Sequence, residues 1–177
     1  SMYEHPIVMD NLKKLQKKLG ITIVGPKIEE SAAKVAERDE IVDSVIRRLN
    51  NGLKGKKITV ITGRTEEPID TMRVLTNKAT GKSGIEIAKR AFRRGAEIEL
   101  WYGNVKCEIP KWIPNKEFNR LNDLLDMLKN IEGVVIVPAA LSDFGVEQIS
   151  KKKISSDSEI DFKLKPLPKL IDGIKEK

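Results

Sequence analysis

Apolar positions first recur at helical spacing after Asp10, where Leu12, Leu15 and Leu19 share one side; Asp10 is suited to cap this helix and Gly20 to stop it. Residues 21–24 then read as a short buried strand. A second helical stripe follows Asp39 with Ile41, Val42, Val45, Ile46 and Leu49, ended by Asn50, Asn51 and Gly52. Gly55 closes a polar linker.

Beyond that linker the pattern becomes strand, loop, helix, strand. Residues 57–62 are β-like, and residues 85–94 carry Ile85, Ala88 and Phe92 at helical spacing before a Gly95 cap. Residues 97–102 predict a second strand, Leu121, Leu124, Leu125 and Leu128 a helix begun by Asn119, and residues 134–137 a third strand. Such alternation predicts an α/β domain, Rossmann-like, with a mainly parallel sheet between helical layers. Residues 145–158 are polar and basic and predict a mobile loop, followed by a short last helix near Pro168. Residues 1–52 are thus read as an appendage and linker, and residues 53–177 as the main domain.

Composition narrows the chemistry. A chain of 177 residues with 40% hydrophobic and 33% charged residues suits a globular protein. The longest apolar run, residues 133–140, is far short of the ~20 residues a spanning helix needs, so no membrane is expected and a cytoplasmic setting is read. Cys107 and His5 are the only residues of their kinds, which argues against disulfides, Cys-based zinc sites and His-dependent nucleophilic catalysis. Lys, Asp, Asn and backbone amides are left as the candidate chemistry. The net charge of +7 suits an anionic partner, nucleic acid or phosphorylated small molecules. Lysines and arginines are interspersed with acids, and 5% aromatic residues is thin for base stacking, so most of these charges read as solvated helix faces and no nucleic acid is expected.

In parallel sheets ligands bind beyond the carboxyl ends of the strands, which singles out residues 63–84 and 138–145. Gly81-Lys82-Ser83 invites a P-loop reading, but the glycine required five residues before Gly81 is Thr76. Gly81 and Gly84 still suit phosphate binding at a helix start, or a plain glycine-rich cap. Arg64 and Arg73 suit phosphate or carboxylate, and Asp70 suits a metal or an arginine. A surface loop with internal ion pairs is the alternative.

Two long blocks, Ile58-Thr59-Val60-Ile61-Thr62-Gly63-Arg64-Thr65-Glu66-Glu67-Pro68-Ile69-Asp70 and Val74-Leu75-Thr76-Asn77-Lys78-Ala79-Thr80-Gly81-Lys82-Ser83-Gly84, precede Arg94-Gly95-Ala96-Glu97 and Ala139-Ala140-Leu141-Ser142-Asp143-Phe144. Together they closely resemble the phosphopantothenoylcysteine synthetase family. Met2-Tyr3-Glu4-His5-Pro6-Ile7-Val8, with Asn11 and Leu15, resembles the tail of the flavin-dependent phosphopantothenoylcysteine decarboxylase, fused to the synthetase in many prokaryotes.

The resemblance implies a ligase that joins 4′-phosphopantothenate to cysteine in coenzyme A biosynthesis. A nucleotide, by the family's prokaryotic habit CTP with Mg2+, activates the carboxylate as an acyl-nucleotidyl anhydride; base choice between CTP and ATP stays open. It implies catalytic roles for Asn77 and Lys153, although Lys151-Lys152-Lys153 also fits a solvated basic loop. By the same resemblance Gly63, Thr65, Gly81, Lys82, Gly84, Ala139, Ala140 and Asp143 face the nucleotide, and Arg64, Arg73 and Asn77 the substrate. Metal ligands are not identified. FMN is expected only in the decarboxylase, and a homodimer, or a larger assembly through it, is implied. Arg64 stands where the family has a small residue or proline, Ala79-Thr80 where it has a serine pair, and Ser83 where it has methionine. Family members continue beyond the last helix, so the chain is expected to be incomplete at its C-terminus, and a non-catalytic nucleotide-binding or assembly fragment is the alternative.

Overall fold

The computed structural model describes residues 2–30, 32–157 and 159–175. Ser1, the last residue of the predicted 145–158 loop and the chain end at Lys177 lie outside the described residues. The chain divides into two compact units, residues 1–51 and 52–177.

In the first unit, helix α1 spans Pro6–Leu19 and starts four residues before the predicted Asp10 cap. His5 supplies the cap, its Nδ1 accepting the Ile7 amide at 3.4 Å, and Pro6 takes a first-turn position where its missing N–H costs nothing. Asp10 instead pairs with Lys14 one turn on, at 2.6 Å. Gly20, at φ +62°, ends the helix as expected. The predicted strand at residues 21–24 does not form, and Ile21 is exposed. The strands lie later, β1 Lys27–Glu29 paired antiparallel with β2 Ala32–Lys34, where cross-strand charge pairs such as Lys34 with Glu29 replace an apolar signal. Helix α2, Arg38–Leu49, ends at Asn50, whose Nδ2 donates to the Ile46 carbonyl at 3.0 Å.

The second unit is built on β3 Lys57–Thr62, whose chain continues through a short hairpin, β4 Glu66–Pro68 and β5 Val74–Thr76, to α3 Lys82–Arg93. Then come β6 Glu97–Tyr102, β7 Asn115–Glu117, α4 Leu121–Met127, β8 Val134–Ile136, β9 Phe144–Val146, β10 Leu164–Pro166 and α5 Leu170–Lys175. A four-stranded sheet in the order β7-β6-β3-β8 is parallel throughout. Alternate residues serve opposite layers. Ile58, Val60, Ile98 and Leu100 pack with Ile85, Ala88 and Ala91 of α3, while Ile61 and Trp101 pack with Phe118, Leu124, Leu128 and Leu170. The predicted three-layer α/β fold is therefore present.

The differences are local. Helix α3 begins three residues early, and Gly95, at φ +91°, donates to the Phe92 carbonyl after it. Helix α4 begins two residues after Asn119, with the Arg120 amide donating to Asp123 Oδ2 at 2.9 Å. The predicted mobile loop at 145–158 opens on β9, which pairs antiparallel with β10. Among the described residues no helix is long and apolar enough to cross a membrane.

Candidate functional site

After β3 the chain runs between two other loops and is pinned to both. The Arg64 amide donates to the Asn104 carbonyl at 3.1 Å and the Asn104 amide returns a bond to Arg64 at 3.0 Å. On the other side the Ala140 amide donates to the Gly63 carbonyl at 2.8 Å. Three loops, after β3, β6 and β8, are thereby brought together at the carboxyl edge of the sheet, where ligands of such folds bind.

The backbone at this edge leaves no room for side chains. Gly63 and Gly81 have φ of +83° and +78°, and a Cβ on Gly81 would stand 2.4 Å from Val105 Cγ1. A Cβ on Gly84 would meet Thr62 Oγ1 at 2.2 Å, so the start of α3 sits directly on the end of β3. Thr62 Oγ1 reinforces that approach by donating to the Gly81 carbonyl at 2.9 Å. The 12-residue helix α3 thus aims its partially positive end at the sheet edge, with Lys82 and Ser83 exposed on the first turn.

Side chains knit the loops. Asn77 Nδ2 donates to the Ala140 carbonyl at 3.1 Å. Arg64 Nη1 donates to the Ala79 carbonyl at 2.8 Å, its Nη2 lies 3.8 Å from Glu66, and its Nε is buried with no partner. Thr65 is fully buried; its hydroxyl meets Ser142 Oγ at 2.9 Å and accepts the Ser142 amide at 2.9 Å. The structure therefore brings Gly63, Arg64, Thr65, Asn77, Gly81 and Ala140 into one hydrogen-bonded cluster of loops, with Gly84 packed on Thr62 and Ala139 next to Ala140 at half-buried depth.

Three sequence candidates are placed otherwise. Asp143 is exposed and pairs with Lys169, while its carbonyl accepts the Leu167 amide. Arg73 is turned to Ile154, whose carbonyl accepts from Nη2, and to Asp70 Oδ2, 3.5 Å from Nε. Lys153 is exposed beside Ile154. The Asp70 carboxyl is held below its usual value by the amides of Met72 and Ile154, then by the amide and charge of Arg73, against the opposing effect of burial. Among the described residues no group of three or more His, Cys, Asp or Glu side chains could hold a metal ion.

Asn104, Ser142 and Glu67 escaped the sequence reading. Asn104 follows β6 and was accessible to the same strand-end rule that singled out the other loops. Ser142 and Glu67 lie inside the matching blocks, but nothing in spacing marks a hydroxyl or carboxylate as buried and bonded. Glu67 Oε1 accepts the Leu121 amide at 2.9 Å and thereby caps α4.

The chain is 41% identical to the coenzyme A biosynthesis bifunctional protein CoaBC of Thermococcus kodakarensis, over 99% of this chain and 45% of that protein. It is 34% identical to CoaBC of Methanocaldococcus jannaschii, over 93% of this chain and 42% of that one. It therefore spans less than half the length of these relatives. Among solved structures, the C-terminal domain of a CoaBC superposes with a TM-score of 0.61 at 27% identity, covering 72% of this chain and 61% of that one. Residues 1–50 match a flavoprotein family. Residues 53–177 match the DNA/pantothenate metabolism flavoprotein C-terminal domain, and the chain belongs to that family.

Proposed function

We propose that residues 53–177 form a phosphopantothenate–cysteine ligase domain that uses CTP with Mg2+, acting in coenzyme A biosynthesis in a cytoplasmic setting. The observation that carries the reading is the meeting of the β3, β6 and β8 loops at the start of α3, with Arg64, Asn77 and Ala140 linking them. It is supported by the kinship with CoaBC proteins.

In the first step an oxygen of the 4′-phosphopantothenate carboxylate attacks the α-phosphorus of CTP, the bond to the β-phosphate breaks, and pyrophosphate leaves. In the second, the cysteine amine attacks the acyl carbon, the bond to the nucleotide oxygen breaks, and CMP leaves with the amide formed. Carboxylate is a poor electrophile, and the triphosphate needs cationic and N–H donors for the charge moved in transfer. The magnesium arrives on the triphosphate as part of the substrate.

The start of α3, with Gly81, Lys82 and Gly84, takes phosphate oxygens, and Ala139 and Ala140 leave room for the base beside Asp143. Gly63 and Thr65 act through the loop arrangement they fix. Arg64 and Arg73 are the cations proposed for the acidic substrate. Asn77 donates one amide N–H to Ala140, and its remaining donor and acceptor serve the acyl group in the second step. Lys153 neutralises phosphate charge in the first. FMN and decarboxylation belong to a decarboxylase domain of which residues 1–50 resemble only the tail, and through that domain a homodimer or larger assembly is proposed.

Calorimetric titration with CTP and with ATP, each with magnesium, tests the nucleotide site: tight CTP and weak ATP binding are expected, and binding of neither overturns the reading. Asn77→Asp is expected to leave pyrophosphate release intact and block amide formation, and Lys153→Gln to slow pyrophosphate release.

A further inference from the structure

We propose that Asp70 and Arg73 form a clamp on the backbone of Ile154 that positions the neighbouring Lys153 for the nucleotide-activation step, an inference that rests on the ligase reading. Asp70 lies in the turn between β4 and β5 with its side chain fully buried. One carboxylate oxygen closes that turn, accepting the Met72 amide at 2.7 Å and the Arg73 amide at 2.8 Å. The other reaches across 84 residues of sequence to accept the Ile154 amide at 3.1 Å. Arg73 completes the clamp by donating to the Ile154 carbonyl while its Nε faces the same Asp70 oxygen. Both backbone groups of Ile154 are thus held by opposite charges from a single turn.

A second tie lies four residues back, where the Ser150 amide donates to the Ile69 carbonyl at 3.0 Å. Between the ties stand Lys151, Lys152 and Lys153, all exposed, with Ser150 Oγ donating to the Lys152 carbonyl at 2.6 Å inside the arch. A basic segment meant only for solubility needs no such anchoring. An arch fixed at both ends gives its lysines a restricted volume to search, so less freedom is lost when an ammonium engages a phosphate. Asp70 and Arg73 act here through Ile154 and are positioning residues in this step.

The test uses the full chain and Asp70→Asn. The asparagine keeps an acceptor for the turn but turns an amide donor toward the Ile154 N–H and the Arg73 Nε, both donors themselves. Tryptic cleavage after residues 151–153, which needs no substrate, is expected to accelerate by about tenfold or more, with cleavage elsewhere unchanged. Pyrophosphate release is expected to slow by a similar factor, of the order of tenfold, in kcat, with amide transfer from preformed acyl-nucleotide unchanged. In a Lys153→Gln background Asp70→Asn is expected to add little. Arg73→Lys, which keeps the charge but lacks the fork, is expected to give an intermediate acceleration of cleavage should Asp70→Asn not fold.

Unchanged cleavage overturns the clamp. Faster cleavage with unchanged pyrophosphate release overturns the positioning role and leaves a structural tie only. A wild-type chain that releases no pyrophosphate overturns the ligase reading and the positioning role with it, while the cleavage rates still decide whether the clamp holds the arch.

Discussion

Gly84 was singled out in the sequence for phosphate, and its strictest requirement is steric. Gly84→Ala drives a methyl into the Thr62 side chain at the end of β3, 2.3 Å from its Cβ, an atom that no rotamer change moves. The substitution is expected to destabilise the chain by about 1–3 kcal/mol, read as a lower urea midpoint. The sequence suits Asp70 to a metal or an arginine, and in the structure Arg73 stands beside it. The folded value of the Asp70 carboxyl lies below the usual 3.8, so its contribution is complete above that value and is lost as pH falls through the lower one. Hydrogen exchange of the Ile154 amide, corrected for intrinsic rate, is expected to stay slow at pH about 5 and to rise toward pH about 2, and to be fast at both in Asp70→Asn. The motif blocks made the glycines, Arg64 and Asn77 legible. They could not reveal that Thr65 spends its hydroxyl on Ser142, because a buried polar pair 77 residues apart leaves no periodic trace.

At the scale of elements, legibility followed burial. Strands β3 and β6 lie inside the sheet and carry continuous or alternating apolar residues, and their bounds were read as they stand in the structure. Strand β7, Asn-Lys-Glu on the sheet edge, is exposed throughout and was missed; its polar character also discourages further pairing along that edge. The hairpin of β4 and β5 was hidden inside what read as one long loop. It is held in part by contacts outside itself, among them Glu67, which reaches from β4 to the first amide of α4. Glu67→Ala removes that cap and is expected to cost about 1–2 kcal/mol, with the helix at Leu121–Met127 losing hydrogen-exchange protection first. Loss of protection spread evenly over the unit would contradict a local capping role.

At the scale of the whole molecule, the two units differ in how much apolar surface they bury. Every buried hydrophobic side chain described belongs to residues 52–177, while Leu19, Val35, Val45 and Leu49 of residues 1–51 are exposed. Amides of residues 2–30 and 32–51 are therefore expected to exchange well before those of β3 and β6. That asymmetry was only partly legible, since the helical stripes of the first unit look in sequence like those of a buried core. Part of the basic charge stands beside acids in exposed ion pairs such as Lys57 with Glu132 and Lys129 with Asp126, in keeping with solvated faces.

Amide formation from an activated acid by residues 53–177 is checked by incubating the full chain with 4′-phosphopantothenate, cysteine, CTP and magnesium, and following products by mass spectrometry. A ligase domain is expected to yield 4′-phosphopantothenoylcysteine and CMP in equal amounts, with pyrophosphate, and no amide from Asn77→Asp. CTP bound but no amide formed would contradict the ligase reading and leave a nucleotide-binding module.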